Sequence, residues 1–372
     1  MDSPRLDHCP PGLPRAAYFA PDWLDRERRT VWARNWVYTG RISDLPPGTM
    51  RGVDTPGGPV LLAHAPEGRV TGFHNACRHR GAELCAGERK LGRLITCPYH
   101  AWAYDARDGR LVATGMAKPT ADFDKGAHGL MPVAVQVWRG LVMVNLSPDP
   151  PPLTADVALD TLDRWPLESL ITGHRITRDL ACNWKVFWEN YSECLHCPGI
   201  HPELCDMVPI YQKGIMAPAE AADWVPGTST PDPLKPGAVT WTADGRACGP
   251  IFPGLTPAEY AAGFTFVTLW PTAYIVAHID HMRIVSLTPT GPETTRLTAE
   301  WLFPAETLAQ PGFSAAEVAK FATLVMDQDG AASEMNQRGF HSPAFAQGTL
   351  MPEEYEIHRF HRWILDQMED AR

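Results

Sequence analysis

The chain has 372 residues, of which 44% are hydrophobic and 20% charged, with a formal net charge of −10. That length exceeds what one hydrophobic core usually serves, so two domains are expected, and the acidic balance argues against a nucleic-acid-binding surface. The N-terminus Met1-Asp2-Ser3-Pro4-Arg5-Leu6-Asp7-His8-Cys9 has no apolar run of the secretory kind, and no later stretch is long and apolar enough to cross a bilayer, so a cytoplasmic protein with no membrane partner is expected. Nine cysteines, an odd number, then read as reduced thiols and metal ligands rather than a disulfide framework; Cys9, Cys85, Cys182, Cys205 and Cys248 read as structural or incidental.

In chain order, Pro21 suits a first helical position, and Leu24, Arg28, Val31, Trp32 and Asn35 recur at helical spacing, which predicts an N-terminal helical segment over 1–35. From Trp36 the pattern shifts to short β-like runs separated by Pro46-Pro47-Gly48, Gly57-Gly58 and Pro66-Glu67-Gly68. Pro59–His64 and Arg69–His74 read as a hairpin, as do Met131–Trp138 and Leu141–Leu146 across Arg139-Gly140. The run Pro148-Asp149-Pro150-Pro151-Pro152 breaks all periodicity and sets a domain boundary, giving a β-rich module over 36–150 and a second domain over 151–372.

Inside the β module, Cys77-Arg78-His79-Arg80-Gly81 is answered by Cys97-Pro98-Tyr99-His100, with seventeen residues between His79 and Cys97. A zinc site of the Cys₂His₂ kind pairs cysteine locally with cysteine and histidine with histidine. Here each loop carries one of each, so a thiolate and an imidazole can clamp a metal centre from both sides. That ordering predicts a Rieske [2Fe–2S] cluster held by Cys77, His79, Cys97 and His100, in which two imidazoles on one iron raise the reduction potential.

In the second domain, Leu170–Leu180 reads as a strand and Asn183 as the N-cap of a helix that carries Trp184, Phe187, Trp188, Tyr191 and Leu195 and ends at Pro198-Gly199. On that helix Glu189, Glu193 and His196 would share a face, and a turn after Pro198-Gly199 would bring His201 beside His196. Residues 206–260 are rich in Pro and Gly and read as extended loops. Strands follow at Phe264–Leu269, Ala273–His278, Met282–Leu287 and Thr295–Phe303; Ser314-Ala315-Ala316-Glu317 then opens, as a capping box, a long helix through Asn336, and Pro352–Met368 reads as another helix.

On the long helix Phe321 and Val325 mark an apolar stripe that Asp329 continues, whereas Asp327 points away from it. A carboxylate on a core face is costly unless it is paired or bound to a cation. His196, His201 and Asp329 therefore form a candidate facial triad for Fe(II), with open positions for oxygen and substrate; zinc is the alternative metal. Each histidine taken alone also reads as a satisfied core or surface residue, and Cys194-x₂-Cys197 as a redox or zinc pair that lacks a second pair or a thioredoxin-like pattern.

Over nearly its whole length the chain resembles the α subunit of Rieske non-haem iron oxygenases. The resemblance rests on the two cluster loops with Ala101-Trp102, on Asn183-Trp184-Lys185, Glu189-Asn190-Tyr191, Glu193-Cys194-Leu195-His196, His201-Pro202, and Asp329 with Gln337-Arg338-Gly339. It implies an α+β protein, with an N-terminal all-β Rieske domain, a C-terminal catalytic domain whose antiparallel sheet is gripped by helices, and the N-terminal helical segment packed on the catalytic domain. It also implies a homotrimer in which electrons pass from the cluster of one subunit to the mononuclear iron of the next. Glu193 would bridge them, bonded to His196 of its own chain and to the cluster ligand His100 of a neighbour. Most members carry Asp at this position, so Glu193 must fold its extra methylene away.

The Glu189–Pro198 run and Leu269-Trp270-Pro271 look most like the branch acting on quaternary ammonium compounds, the choline, carnitine and betaine oxygenases. The resemblance implies an O₂-dependent monooxygenase or demethylase that hydroxylates an N-methyl carbon. Trp188, Tyr191, Phe264, Phe266, Trp270 and Tyr274 are candidates for an aromatic cage around such a cation, each equally readable as core. Without a Gly-x-Gly-x₂-Gly fingerprint after a strand, NAD(P)H electrons must arrive through a separate flavin or iron–sulfur reductase. The rivals are an oxygenase for aromatic acids, marked by a flat slot with a basic carboxylate clamp, and a Rieske electron carrier without oxygen chemistry, for which the 196/201/329 set would be unexplained.

Overall fold

The computed structural model describes residues 3–153, 158–225 and 233–369. The chain divides into two compact units, one of Arg28–Asp156 with Trp270–Thr272, the other of Met1–Glu27, Val157–Leu269 and Ala273–Arg372. No helix among the described residues is long and apolar enough to cross a membrane. Strand β1 (Pro11–Pro14) and helix α1 (Pro21–Glu27) belong to the second unit. Pro21 occupies the first helical position, where its missing N–H leaves no bond unmade. The helix then widens into a π turn, Arg28–Trp32, and Leu24, Val31 and Trp32 of the periodic stripe are buried.

The first unit is built from β2 (Val37–Arg41), β3 (Thr49–Thr55), β4 (Gly58–His64), β5 (Val70–His74), β6 (Glu88–Lys90), β7 (Leu94–Thr96), β8 (Trp102–Asp105), β9 (Leu111–Thr114), β10 (Pro132–Trp138) and β11 (Leu141–Asn145). Its larger sheet runs β2-β11-β10-β5-β4-β3-β6, and β7-β8-β9 form a second. Both hairpins expected from sequence form, β4 with β5 and β10 with β11. The second turns on Arg139 and Gly140 at φ 45° and 82°, the paired positive values that match the twist of a tight hairpin. Leu61, Phe73, Leu84, Ile95, Trp102 and Tyr104 form a core around Cys77 and Cys97.

The second unit contains β12 (Ile171–Leu180), α2 (Trp184–Tyr191), α3 (Cys197–Ile200), α4 (Pro202–Met207), α5 (Pro257–Ala262), β13 (Phe264–Leu269), β14 (Ala273–His278), β15 (Met282–Gly291), β16 (Thr294–Phe303), α6 (Ala305–Leu308), α7 (Ala315–Phe340), β17 (Gln347–Thr349) and α8 (Tyr355–Glu369). The antiparallel order β12-β16-β15-β14-β13 makes the main sheet, and β1 pairs with β17. Helix α2 packs on α7, α8 and β15, and α7 on β12, so helices grip the sheet. Register pairs Phe266 with Val276 and Val276 with Arg283, which sets these side chains in one row on one face.

Three expectations change. The helix capped by Asn183, whose side chain accepts from the Lys185 N–H, ends at Tyr191 and does not carry Glu193 or His196. Ser192 Oγ donates to the Trp188 carbonyl at 2.6 Å and competes with continuation. Pro198 does not break a helix but opens one, in the first turn of α3, where proline is tolerated. At α7 Ser314 caps the Glu317 N–H, but the Glu317 carboxylate pairs with Lys320 at 2.6 Å instead of completing the box. The Pro/Gly-rich stretch 206–260 holds short helical turns and the start of α5 among loops, and its residues 226–232 lie outside the described ones.

Candidate metal centres

In the first unit the two cluster loops are built alike. The Cys77 N–H donates to the Ala82 carbonyl and the Gly81 N–H to the Cys77 carbonyl; Cys97 and Trp102, and Ala101 and Cys97, repeat the pattern. Gly81 at φ 74° and Ala101 at φ 56° occupy the matching left-handed positions that let each loop turn back. Cys77 and Cys97 are buried, while His79 is exposed and His100 half-buried, with the two imidazoles 4.8 Å apart. Thiolates inside and imidazoles toward solvent suit a cluster with one Cys-held and one His-held iron. His79 stacks on Trp102 at 4.7 Å, which fixes its plane. Tyr104, not singled out from sequence, places its hydroxyl 3.1 Å from Cys77 Sγ while accepting the Arg78 N–H at 3.0 Å.

In the second unit His196, His201 and Asp329 come together, their ligand atoms all within 4.8 Å of one another. His196 sits in the turn before α3, His201 between α3 and α4, and Asp329 on α7. The two imidazole Nε2 atoms lie 3.1 Å apart, and Asp329 Oδ1 is 2.8 Å from one and 3.4 Å from the other. Each ring is held from behind: Glu193 Oε1 is 2.6 Å from His196 Nδ1, and Gln328 Oε1 is 2.8 Å from His201 Nδ1. With both Nδ1 atoms donating, neutral imidazoles turn both Nε2 lone pairs toward each other and toward a carboxylate, so a cation, whether a proton or a metal, has to sit between them. Three electron pairs converging in a half-buried place are favourable only around a cation.

The electrostatics agree. Burial works against protonating His196, but hydrogen bonds to Asp329 and Glu193 outweigh it and raise its pKa to about 9. Burial likewise works to raise Asp329, and the two imidazoles overcome it and hold the carboxyl below its ordinary range. The proton retained on His196 occupies the position a metal would take, and two imidazoles with one carboxylate are the donor set for non-haem Fe(II). Asp327 pairs with Arg178 at 3.0 Å on the surface, away from this set. A second trio, Cys248, Asp280 and His281, differs: Asp280 already accepts from His281 Nδ1, the Thr240 hydroxyl and the Cys248 N–H, so it is satisfied without a metal.

Cys194 and Cys197 are joined in a disulfide, a departure from the reduced thiols expected. The Cys197 N–H donates to the Cys194 carbonyl, and this turn brings the two Cα atoms to 4.9 Å, within the range a disulfide spans.

Of the candidate substrate residues, Tyr191 and Tyr274 stack at 4.0 Å, Trp188 meets both edge-on, and Phe266 meets Tyr191 and Phe264. Trp270 lies in the turn between β13 and β14, in the short segment grouped with the first unit. Three residues not anticipated join this neighbourhood. Trp241 packs on Phe264, Phe266 and Phe321, and its indole N–H has no partner among the described residues. Asn190 Nδ2 is 3.4 Å from His196 Nε2, with its carbonyl unpartnered among the described residues. Arg283 is 5% exposed, makes no ion pair among the described residues, and interacts electrostatically with Tyr274, Tyr191 and Asp329. Strand register, which the sequence does not show, sets it in the row beside Val276 and Phe266.

Residues 167–370 match the ring hydroxylating alpha subunit (catalytic domain) family, and residues 35–124 match the Rieske [2Fe-2S] domain. The chain belongs to the ring-hydroxylating alpha-subunit family. It is a Rieske non-haem iron oxygenase, with a [2Fe–2S] cluster and a mononuclear iron as its cofactors. The oxygenase is 30% identical to the glycine betaine monooxygenase oxygenase subunit of Chromohalobacter salexigens, over 96% of this chain and 85% of that one. It is 27% identical to the protein of the same name from Pseudomonas aeruginosa PAO1, over 96% of this chain and 89% of that one. It is 31% identical to the carnitine monooxygenase oxygenase subunit of Escherichia coli K12, over 53% of this chain and 54% of that one. Its fold is that of the quaternary ammonium Rieske monooxygenase CntA in complex with L-carnitine, with a TM-score of 0.72 at 20% identity covering 97% and 96% of the two chains. The Rieske oxygenase also shares its fold with naphthalene 1,2-dioxygenase from Rhodococcus sp., with a TM-score of 0.65 at 17% identity over 97% and 95%. As a member of this family it acts on a small molecule and takes electrons from a reductase.

Proposed function

We propose that this oxygenase hydroxylates an N-methyl group of a betaine, a small molecule carrying both a quaternary ammonium and a carboxylate. The single observation that carries the reading is Arg283, a buried guanidinium that makes no ion pair among the described residues, at the edge of a group of aromatic faces. Buried charges are paired or serve a ligand. Arg283 and the Trp241 N–H, which has no partner among the described residues, offer donors to a carboxylate, and the faces of Tyr191, Tyr274, Trp188, Phe264 and Phe266 offer a cage to a trimethylammonium. A basic residue alone would also suit an aromatic acid; the aromatic faces around it, and relatives named for glycine betaine and carnitine, favour the zwitterion. Hydroxylation at the methyl carbon gives a hemiaminal that loses formaldehyde, so the net reaction is a demethylation.

In this reading Cys77, His79, Cys97 and His100 hold the cluster, and His196, His201 and Asp329 hold the iron. The cluster stores single electrons and the iron supplies the activation of O₂. Glu193 fixes the His196 ring through Nδ1 and is 11% exposed beside a cleft of about 370 Å³ lined also by Tyr18, Glu189, Asn190 and Glu354. That cleft would admit His100 of a neighbouring subunit in a homotrimer, so that Glu193 bridges the two centres. The functional domains are 36–150 for the cluster and 151–372 for catalysis, with the N-terminal segment up to Glu27 packed on the latter. We place the protein in the cytoplasm beside its flavin or iron–sulfur reductase, fed by NAD(P)H.

The test is oxygen uptake and formaldehyde release with a reductase across glycine betaine, carnitine, choline and benzoate. Turnover confined to the betaines supports the reading. Turnover of benzoate without formaldehyde from any methylammonium contradicts it.

A further inference from the structure

His201 is 1% exposed, and its Nδ1 meets Gln328 Oε1 at 2.8 Å. Gln328 is the residue before Asp329 on α7, and its Nε2 donates to Glu203 Oε2 at 3.1 Å. Glu203 stands in the first turn of α4, two residues after His201. The order of the three fixes a proton. A carboxylate only accepts, so the Gln328 amide must turn its nitrogen to Glu203 and its oxygen to His201. The oxygen then accepts the Nδ1 proton, and Nε2 is left with the lone pair that faces Asp329 and His196. Were the amide reversed, its N–H would demand an unprotonated Nδ1, and Nε2–H would point into the metal position.

We propose that Gln328, oriented by Glu203, is a positioning residue that sets the tautomer of His201 and thereby the affinity of the site for its metal. The inference rests on the reading of His201 as an iron ligand. It also separates the roles of the two imidazoles. His196 is backed by the anionic Glu193, which makes it the more electron-rich ligand, whereas His201 is backed by a neutral amide whose direction must be enforced. A second carboxylate at 328 would enforce the tautomer by itself, but it would stand against Glu203.

The test measures Fe(II) affinity by anaerobic competition with a chromogenic chelator, and the visible ligand-field bands of the Co(II)-substituted protein, in the full chain. Gln328→Leu is expected to weaken metal binding about 10- to 100-fold. Glu203→Ala, which frees the amide to reverse, gives a smaller loss and broadened Co(II) bands. In the double variant Glu203→Ala with Gln328→Glu the acceptor cannot reverse, and affinity and band shape return toward the wild type. A merely structural role would not produce that recovery. Unchanged affinity in both single variants, or a double variant no better than Glu203→Ala, overturns the proposal. His201→Ala is the separate control: unchanged affinity there overturns the ligand reading itself.

Discussion

Glu193 folds back on its own loop, so that one carboxylate oxygen lies 2.6 Å from His196 Nδ1 while the other accepts the backbone N–H groups of Leu195 and His196. The extra methylene that separates glutamate from aspartate is taken up in this local cap, and the carboxylate still reaches the ring. Removing the carboxylate leaves the three proposed iron ligands in place but loses the contact that orients one of them. Glu193→Ala is therefore expected to retain its iron and the cluster spectrum while turnover falls about 10- to 100-fold or more. Iron analysis beside steady-state rates checks this, and wild-type turnover would remove Glu193 from the electron path.

Arg283 adds a cost to the fold that only a ligand recovers. Arg283→Met deletes a buried charge that makes no ion pair among the described residues, so the variant is expected to match or exceed the wild type in Tm. The same change should raise KM for glycine betaine strongly, since losing the partner of a buried charge costs about 2–5 kcal/mol. Choline has no carboxylate and should lose little. An equal loss for both substrates would show that Arg283 does not read the carboxylate.

The Tyr104 hydroxyl, 3.1 Å from Cys77 Sγ, is placed to donate to a cluster thiolate. Hydrogen bonds to cluster sulfurs stabilise the reduced, more negative state. Tyr104→Phe should lower the reduction potential in a protein-film or dye titration, with the visible spectrum otherwise kept. An unchanged potential would assign the hydroxyl to the Arg78 N–H alone.

The metal-free second site should respond to pH through His196. Its pKa is raised from 6.5 to about 9, so a metal must displace a proton below that value. Apparent Fe(II) affinity should climb as pH rises from about 6.5 and level off near 9. The folded-state pKa is the higher one, so the stability this proton gives the metal-free protein is fully present below 6.5 and lost as pH rises through about 9. Chelator competition and thermal melts of the metal-free protein over that range check both signs.

What the sequence disclosed was local. The two cluster loops, the hairpin at Arg139-Gly140 and the Asn183 cap each depend on residues close together in the chain, where spacing maps directly onto geometry. The meeting of His196, His201 and Asp329 also followed from spacing, because Asp329 continues the α7 stripe of Phe321 and Val325. The end of α2 at Tyr191 did not, since a serine hydroxyl competing for the Trp188 carbonyl is invisible to apolar periodicity. Arg283, Trp241 and Tyr104 were missed for another reason. Their roles depend on partners brought near by strand register and loop packing, and a lone Arg, Trp or Tyr in sequence carries no such mark.

The most direct test of the two-centre account is iron content in the wild type and in Asp329→Ala. The account predicts about three irons per chain, falling to about two in the variant, with the visible absorption of the histidine-ligated cluster unchanged and turnover abolished. A variant that keeps all its iron, or loses the cluster spectrum along with it, would contradict the assignment of His196, His201 and Asp329 as a separate iron site.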